Sequence, residues 1–262
     1  MSHILDKIID HKKTLLAQAQ LVQQFQPLNI PPKYLLKDTL IQATRPQIIT
    51  EFKRQSPSKG IINNQADLKS TVENYIEYGA AAVSILTDEK YFGGHLSDLM
   101  KVSHLPVPFL RKEFIIDESQ IFEAQLAGAS IILLIAAVLE PKRVYELAKF
   151  AHELHLEVLL EIHEVAELGH INEYIDILGV NNRNLKNFQV DINISMNILT
   201  IISQESGFKL PLISESGIDH IDTVKSLFDN GCKGFLIGEN FMKHPQPGLA
   251  FRNFNQALQQ FY

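Results

Sequence analysis

At 262 residues the chain fits one large α/β barrel or two ordinary domains, and length alone does not decide. Its 45% hydrophobic and 21% charged residues are those of a soluble globular protein. A net charge of −6 gives no electrostatic footprint for nucleic acid and no attraction to anionic lipid, so neither partner is expected.

The first 46 residues precede any strand pattern. They carry Asp6, Asp10, Lys7, Lys12 and Lys13 rather than an apolar leader, so no secretory signal is expected. Ile4, Ile8, Leu15, Leu16 and Val22 recur roughly at helical spacing. This predicts an extra helix laid against the body and ended by Pro27, Pro31 and Pro32. Strand-like runs then follow at 47–53, 82–87, 107–112, 130–135, 157–161, 177–181, 211–214 and 234–237. Helical periodicity fills the gaps, as at Leu68 to Tyr78, Glu118 to Ala127, Pro141 to Leu154 and Ile221 to Asn230. Pro141 suits a first helical turn, where its missing N–H is no loss. Eight βα units in sequence predict a parallel sheet closed into a (β/α)8 TIM barrel, with a doubly wound open sheet as the alternative. No Pro/Gly/Ser-rich linker interrupts them. A single domain is therefore expected, with 1–46 as a helical extension and 47–262 as the barrel.

The longest apolar run, Ile131 to Leu139, is too short to span a bilayer. Phe251, Phe254, Leu258 and Phe261 form a stripe on the last helix, best explained by packing. One cysteine, Cys232, excludes an internal disulfide framework and fits a reducing compartment, here the cytoplasm. No Cys/His cluster has zinc spacing, and neither metal nor cofactor is expected.

In a barrel of this kind the active site lies at the C-terminal ends of the strands. Polar residues recur there. Strand 1 ends in Glu51 and Lys53, two apart and so on one face. Strand 3 ends in Arg111, Lys112 and Glu113, and strand 5 in Glu161. Strand 6 ends in Asn181, Asn182, Arg183 and Asn184. Strand 7 ends in Ser214, Glu215, Ser216 and Gly217, and strand 8 in Gly238 and Glu239. One charged strand end is ordinary solvation, whereas six converging on one mouth predict acid/base chemistry. Gly217 and Gly238 stand after strands 7 and 8, the usual phosphate corner, and Glu239 could open a short helix there. A phosphorylated small-molecule substrate follows.

Nearly the whole chain, roughly residues 4 to 250, resembles the indole-3-glycerol phosphate synthase family of tryptophan biosynthesis. The resemblance rests on Ile49–Gly60, Leu86–Gly94, Leu110–Asp117, Val158–His163, Gly179–Leu185, Ser214–Ile218 and Leu236–Met242. It implies decarboxylating, dehydrating ring closure of 1-(2-carboxyphenylamino)-1-deoxyribulose 5-phosphate to indole-3-glycerol phosphate, CO2 and water. By the same resemblance Lys112 is the general acid, its proton affinity lowered by neighbouring Lys53 and Arg111. Glu161 is the carboxylate used in dehydration, and Lys53 contacts substrate and supplies a later proton. Glu51 orients the lysines. Asn181, Arg183, Glu215 and Ser216 hold the sugar and shape the site. Ser56, Gly217, Gly238 and the Glu239 backbone form the phosphate pocket. Phe92, Phe114 and Leu133 form the apolar wall for the anthranilate ring, with plain barrel packing an equal reading for Leu133.

Two positions depart from the family pattern: Glu113 replaces an aspartate, and Asn240 replaces a small residue. A phosphoribosylanthranilate isomerase would need a cysteine near the end of strand 1, but Cys232 precedes strand 8. A non-catalytic sugar-phosphate-binding barrel remains the rival from another class. A monomer is expected, with association with other tryptophan-pathway enzymes left open, and a bifunctional fusion is the less simple reading.

Overall fold

The computed structural model describes residues 4–18, 32, 34–185, 187–205 and 207–262. Among these residues eight parallel strands form a closed barrel. They are β1 (Gln47–Phe52), β2 (Ala82–Leu86), β3 (Phe109–Lys112), β4 (Ile131–Ile135), β5 (Glu157–Ile162), β6 (Ile177–Asn181), β7 (Leu212–Glu215) and β8 (Gly234–Ile237). Pairing of β1 with both β2 and β8 closes the ring, Gln47 lying opposite Gly234, which rules out the open sheet.

Between the strands run α3 (Leu68–Glu77), α4 (Glu89–Phe92), α5 (Leu96–Val102), α6 (Glu118–Leu126), α7 (Pro141–Glu153), α8 (Asn193–Gln204) and α9 (Ile221–Asp229). A 3-10 turn, Val165–His170, stands alone between β5 and β6. The short α10 (Glu239–Met242) and the longer α11 (Pro247–Gln259) follow β8. Before β1 come α1 (Ile4–Gln18) and α2 (Lys37–Ile41). The starts follow local chemistry. Asp67, Asp88 and Asp117 each accept a backbone N–H at the head of α3, α4 and α6. Pro141 occupies the first turn of α7, as its missing N–H allows.

Strand residues alternate between two apolar layers. Ile48, Phe52, Val83, Ile85, Phe109, Ile132, Leu134, Val158 and Leu160 pack outward against the helices. Ile49, Leu110, Leu133, Leu159, Ile177, Ile213 and Leu236 fill the barrel interior. Burial on both faces is why the strands read as continuous apolar runs. Leu36 and Leu40 close the interior from below. That plug is fastened by Glu157, which accepts the backbone N–H groups of Leu36 at 2.7 Å and Lys37 at 2.9 Å.

The terminal stripes are only partly core. On α1 Ile8 is buried, but Leu15 is 44% exposed, and the other buried side chain is Lys12. Val22, Pro27 and Pro31 lie outside the described residues. On α11 Phe251 and Leu258 are buried, whereas Phe261 falls beyond the helix and is exposed under the Lys225 ammonium. No described helix is long and apolar enough to cross a membrane.

Candidate active site

A cavity of about 630 Å³ opens at the C-terminal ends of the strands. The fifteen side chains or glycines given site roles by the resemblance all line it: Glu51, Lys53, Ser56, Phe92, Lys112, Phe114, Leu133, Glu161, Asn181, Arg183, Glu215, Ser216, Gly217, Gly238 and Glu239; Arg111, Asn182, Asn184 and Ser214, also expected at the mouth, do not. Strand periodicity explains the convergence. Glu51 and Lys53 share the inward face of β1, as do Asn181 and Arg183 at the end of β6. The pairing register sets Asn181 beside Glu215.

At the centre the Lys112 ammonium lies 2.7 Å from Glu215 Oε2 and 3.4 Å from Glu161 Oε2. Lys53 donates to Glu51 Oε1 at 2.6 Å. At the strand 7–8 corner the carboxylate of Glu239 lies between Arg183, 3.6 Å away, and Lys59, 3.5 Å away. Opposite, the rings of Phe92 and Phe114 stand 6.0 Å apart at a 38° tilt. Leu133 belongs both to the interior layer and to the cavity floor, so its two readings coincide.

The charges are strongly coupled. Burial works against the Lys112 ammonium, but Glu215, Glu161 and Glu51 together outweigh it and raise its proton affinity above the ordinary lysine value. The expectation that Lys53 and Arg111 would lower it is therefore wrong. Arg111 is the neighbour on the opposite strand face, where its guanidinium donates to Gln120 O and meets Glu123 at 3.1 Å. Burial also opposes ionisation of Glu161, yet Lys112 and then His163 hold it well below the carboxylate range. Glu51 is depressed likewise, burial being overcome by Lys53 and Lys112. Glu215 goes the other way. Its burial, reinforced by Glu161 and Glu51, outweighs Lys112 and pushes its carboxyl up to about 7.

Asn182 does not join the mouth. It is fully buried on the outward face, donating to Ser214 Oγ, Glu215 O and Ser216 O and accepting from Ser195. This frame holds the turn in which Ser216 and Gly217 both take left-handed conformations, φ 65° and 72°. A side chain at Gly217 would also strike Val190, and one at Gly238 would strike Glu51. Both glycines thus make room for protein neighbours besides any phosphate. Asn240 donates to Asp219 O, tying α10 to the loop after β7.

Some contributors were missed from the sequence. Ile4, Leu5 and Ile8 of α1 form part of the cavity wall. His163 lies behind Glu161, with Nε2 3.4 Å from Glu161 Oε1 and Nδ1 3.7 Å from Glu167 Oε2. Burial lowers its basicity, but the two carboxylates push it up to about 9. Its position two residues beyond Glu161, on the same face, was the available signal.

Residues 5–254 match the family model described as indole-3-glycerol phosphate synthase. The chain belongs to the indole-3-glycerol phosphate synthase family. It is 46% identical over 264 residues to the indole-3-glycerol phosphate synthase of Bacteroides thetaiotaomicron, covering 99% of this chain and 100% of that one. It is 39% identical over 257 residues to that of Oceanobacillus iheyensis, covering 97% of each. Among solved structures, 3-hexulose-6-phosphate synthase from Salmonella typhimurium is similar with a TM-score of 0.63 at 16% identity, covering 82% of this chain and 100% of that one. That second likeness concerns the barrel alone.

Proposed function

We propose that this chain closes the indole ring, converting 1-(2-carboxyphenylamino)-1-deoxyribulose 5-phosphate to indole-3-glycerol phosphate with loss of CO2 and water. Family membership supports this reading, and one observation carries it: a largely enclosed ammonium, Lys112, held between the carboxylates of Glu161 and Glu215 in the cavity. Ring closure places negative charge on the substrate's ketone oxygen. A protonated amine fixed between two carboxylates neutralises that charge as it forms. Lys112 is kept in its acid form by its carboxylate neighbours, so it enters the reaction with a proton to give. Once the new carbon–carbon bond exists, the bond to the carboxylate breaks, CO2 leaves, and the electron pair it leaves behind restores the aromaticity of the ring. Loss of the hydroxyl as water then needs an acid and a base together. Glu161, held ionised, serves as the base, and Lys53 as the acid on the opposite wall. Glu51 fixes Lys53 by its 2.6 Å contact.

The phosphate is assigned to Ser56, Gly217, Gly238 and the Glu239 backbone. There the substrate would draw Arg183 and Lys59 away from the Glu239 side chain. Asn181 and Ser216 face the sugar, and Phe92 and Phe114 flank the aromatic ring, with Leu133 beneath. A binding barrel without chemistry would need the phosphate corner but not the ion pairs of Glu51, Lys53, Lys112 and Glu161. The protein is further proposed to be a single-domain monomer working in the cytoplasm, the compartment being supported by its free thiol at Cys232.

Fluorescence on mixing with substrate tests the activity. The chain contains no tryptophan, so growing indole emission is read against a quiet background. Saturable emission supports ring closure; tight binding without emission supports the non-catalytic barrel.

A further inference from the structure

Lys12 of α1 is buried to 7% exposure outside the barrel wall, with its ammonium 2.9 Å from Asp88 Oδ2 and 2.9 Å from Glu113 Oε1. Each carboxylate also grips the segment that follows it. Asp88 caps α4, accepting the Tyr91 N–H at 2.6 Å, and α4 ends in Phe92. Glu113 accepts the backbone N–H of Phe114 at 2.9 Å through Oε1, while Oε2 accepts the Thr87 hydroxyl at 2.9 Å. A second tie joins the same elements, since Tyr91 Oη donates to Lys7 O at 3.2 Å. One turn before Lys12, Ile8 reaches the cavity with Ile4 and Leu5.

We propose that Lys12 is a positioning residue for the aromatic wall: its ammonium joins the carboxylate that caps the Phe92 helix to the carboxylate that holds Phe114, and so sets how the two contacting rings present their faces to the cavity. This rests on the ring-closure reading, in which the carboxyphenyl end of the substrate lies against that wall. Stability alone is a poor reason for burying a lysine between two carboxylates. An apolar side chain of similar volume commonly does as well, because desolvation consumes most of the Coulombic gain. What the charge adds is a tie between the Asp88 cap and the Glu113 carboxylate, beyond the Thr87 hydrogen bonds and the ring contact that already join the two segments. It also gives the methylene by which Glu113 exceeds the family's aspartate a use, since that carboxylate reaches Lys12, Thr87 and the Phe114 N–H together.

The test compares Lys12→Met, Lys12→Arg and Asp88→Asn with the parent, reading KM, kcat and the inhibition constant of inorganic phosphate. Misplacing the wall should raise KM about tenfold in Lys12→Met and leave kcat within about threefold. Phosphate inhibition should not change, because its corner lies across the mouth on β7 and β8. Lys12→Arg should recover most of the loss by keeping the charge. A folded Lys12→Met with parental KM overturns the proposal. So does a parallel rise in KM and the phosphate constant, which would report general loosening. Should Lys12→Met not fold, Asp88→Asn keeps the cap acceptor and removes only one charge facing Lys12. Its KM should rise about threefold, and an unchanged value overturns the proposal equally. If the parent forms no indole, ring closure itself fails. The wall is then judged from the affinity of the same compound, read by its own carboxyphenylamino fluorescence in parent and variants.

Discussion

The ammonium of Lys112 lies 2.7 Å from Glu215 Oε2 and only 3.4 Å from Glu161, so the proposed acid leans on the carboxyl that is itself easiest to protonate. Lys112→Ala removes the proton donor and leaves three carboxyls facing one another. Turnover should fall by about 10³-fold or more, within the usual range for losing a general acid. Substrate should still bind, through the phosphate corner and the phenylalanine wall. Turnover near the parental rate would remove Lys112 from that role.

The two left-over strand-end glycines can be told apart from an ordinary turn glycine. A methyl at Gly238 would collide with Glu51, so Gly238→Ala should displace the partner of Lys53 and lower kcat together with phosphate-end binding. At Gly60 (φ 66°) nothing lies within 4 Å of the added carbon, and only backbone strain opposes it. Gly60→Ala should therefore cost about 1 kcal/mol in stability and leave kcat unchanged. Equal kinetic damage from both substitutions would contradict the steric assignment.

His163 gives a pH-dependent prediction. Its basicity is raised from near 6.5 to about 9 in the folded state by Glu161 and Glu167, against the effect of burial. A raised histidine stabilises fully below its unfolded value and loses that contribution as pH climbs through the folded one. Denaturant melts of parent and His163→Asn should thus differ most near pH 6, by roughly 2–3 kcal/mol, and converge near pH 9.5. A difference independent of pH would mean that the imidazole contributes packing alone.

Asn182 makes a structural prediction about the Ser216–Gly217 turn. Asn182→Ala would leave the buried hydroxyls of Ser195 and Ser214 only each other, leave Glu215 O with only the backbone N–H of residue 182, and free the carbonyl of Ser216. Unsatisfied buried groups cost about 1–3 kcal/mol each, so the melting temperature should drop by several degrees. Because the same turn carries Glu215, kcat should fall as well. A stable, fully active variant would show that the turn is held by other means.

How far the sequence could be read follows from what each signal depends on. The eight strands were legible to within about two residues, because burial on both faces writes itself as unbroken apolar runs. The mouth was legible because a two-residue period forces Glu51 with Lys53 and Asn181 with Arg183 onto one side. The same period, applied one step further, would have turned Arg111 and Asn182 outward and brought His163 in. Lys12 was not legible. Its burial depends on how α1 lies across the barrel, and no local pattern encodes the approach of Asp88 and Glu113 from two distant loops. The direction of the Lys112 shift was also out of reach, since it is set by carboxylates on β1, β5 and β7 rather than by chain neighbours.

Leu36 and Leu40 stopper the lower end of the barrel, and among the described residues the apolar column above them leaves no channel along the axis. Among these residues the chamber consequently opens at the strands' C-terminal ends alone. Gas, water and the bulky indole product must all depart by the route the substrate took in, past Phe92, Phe114 and the loop carrying Ser56. In the proposed reaction the largest of them must clear that opening before the next molecule can enter, which ties substrate entry and product exit to the same residues.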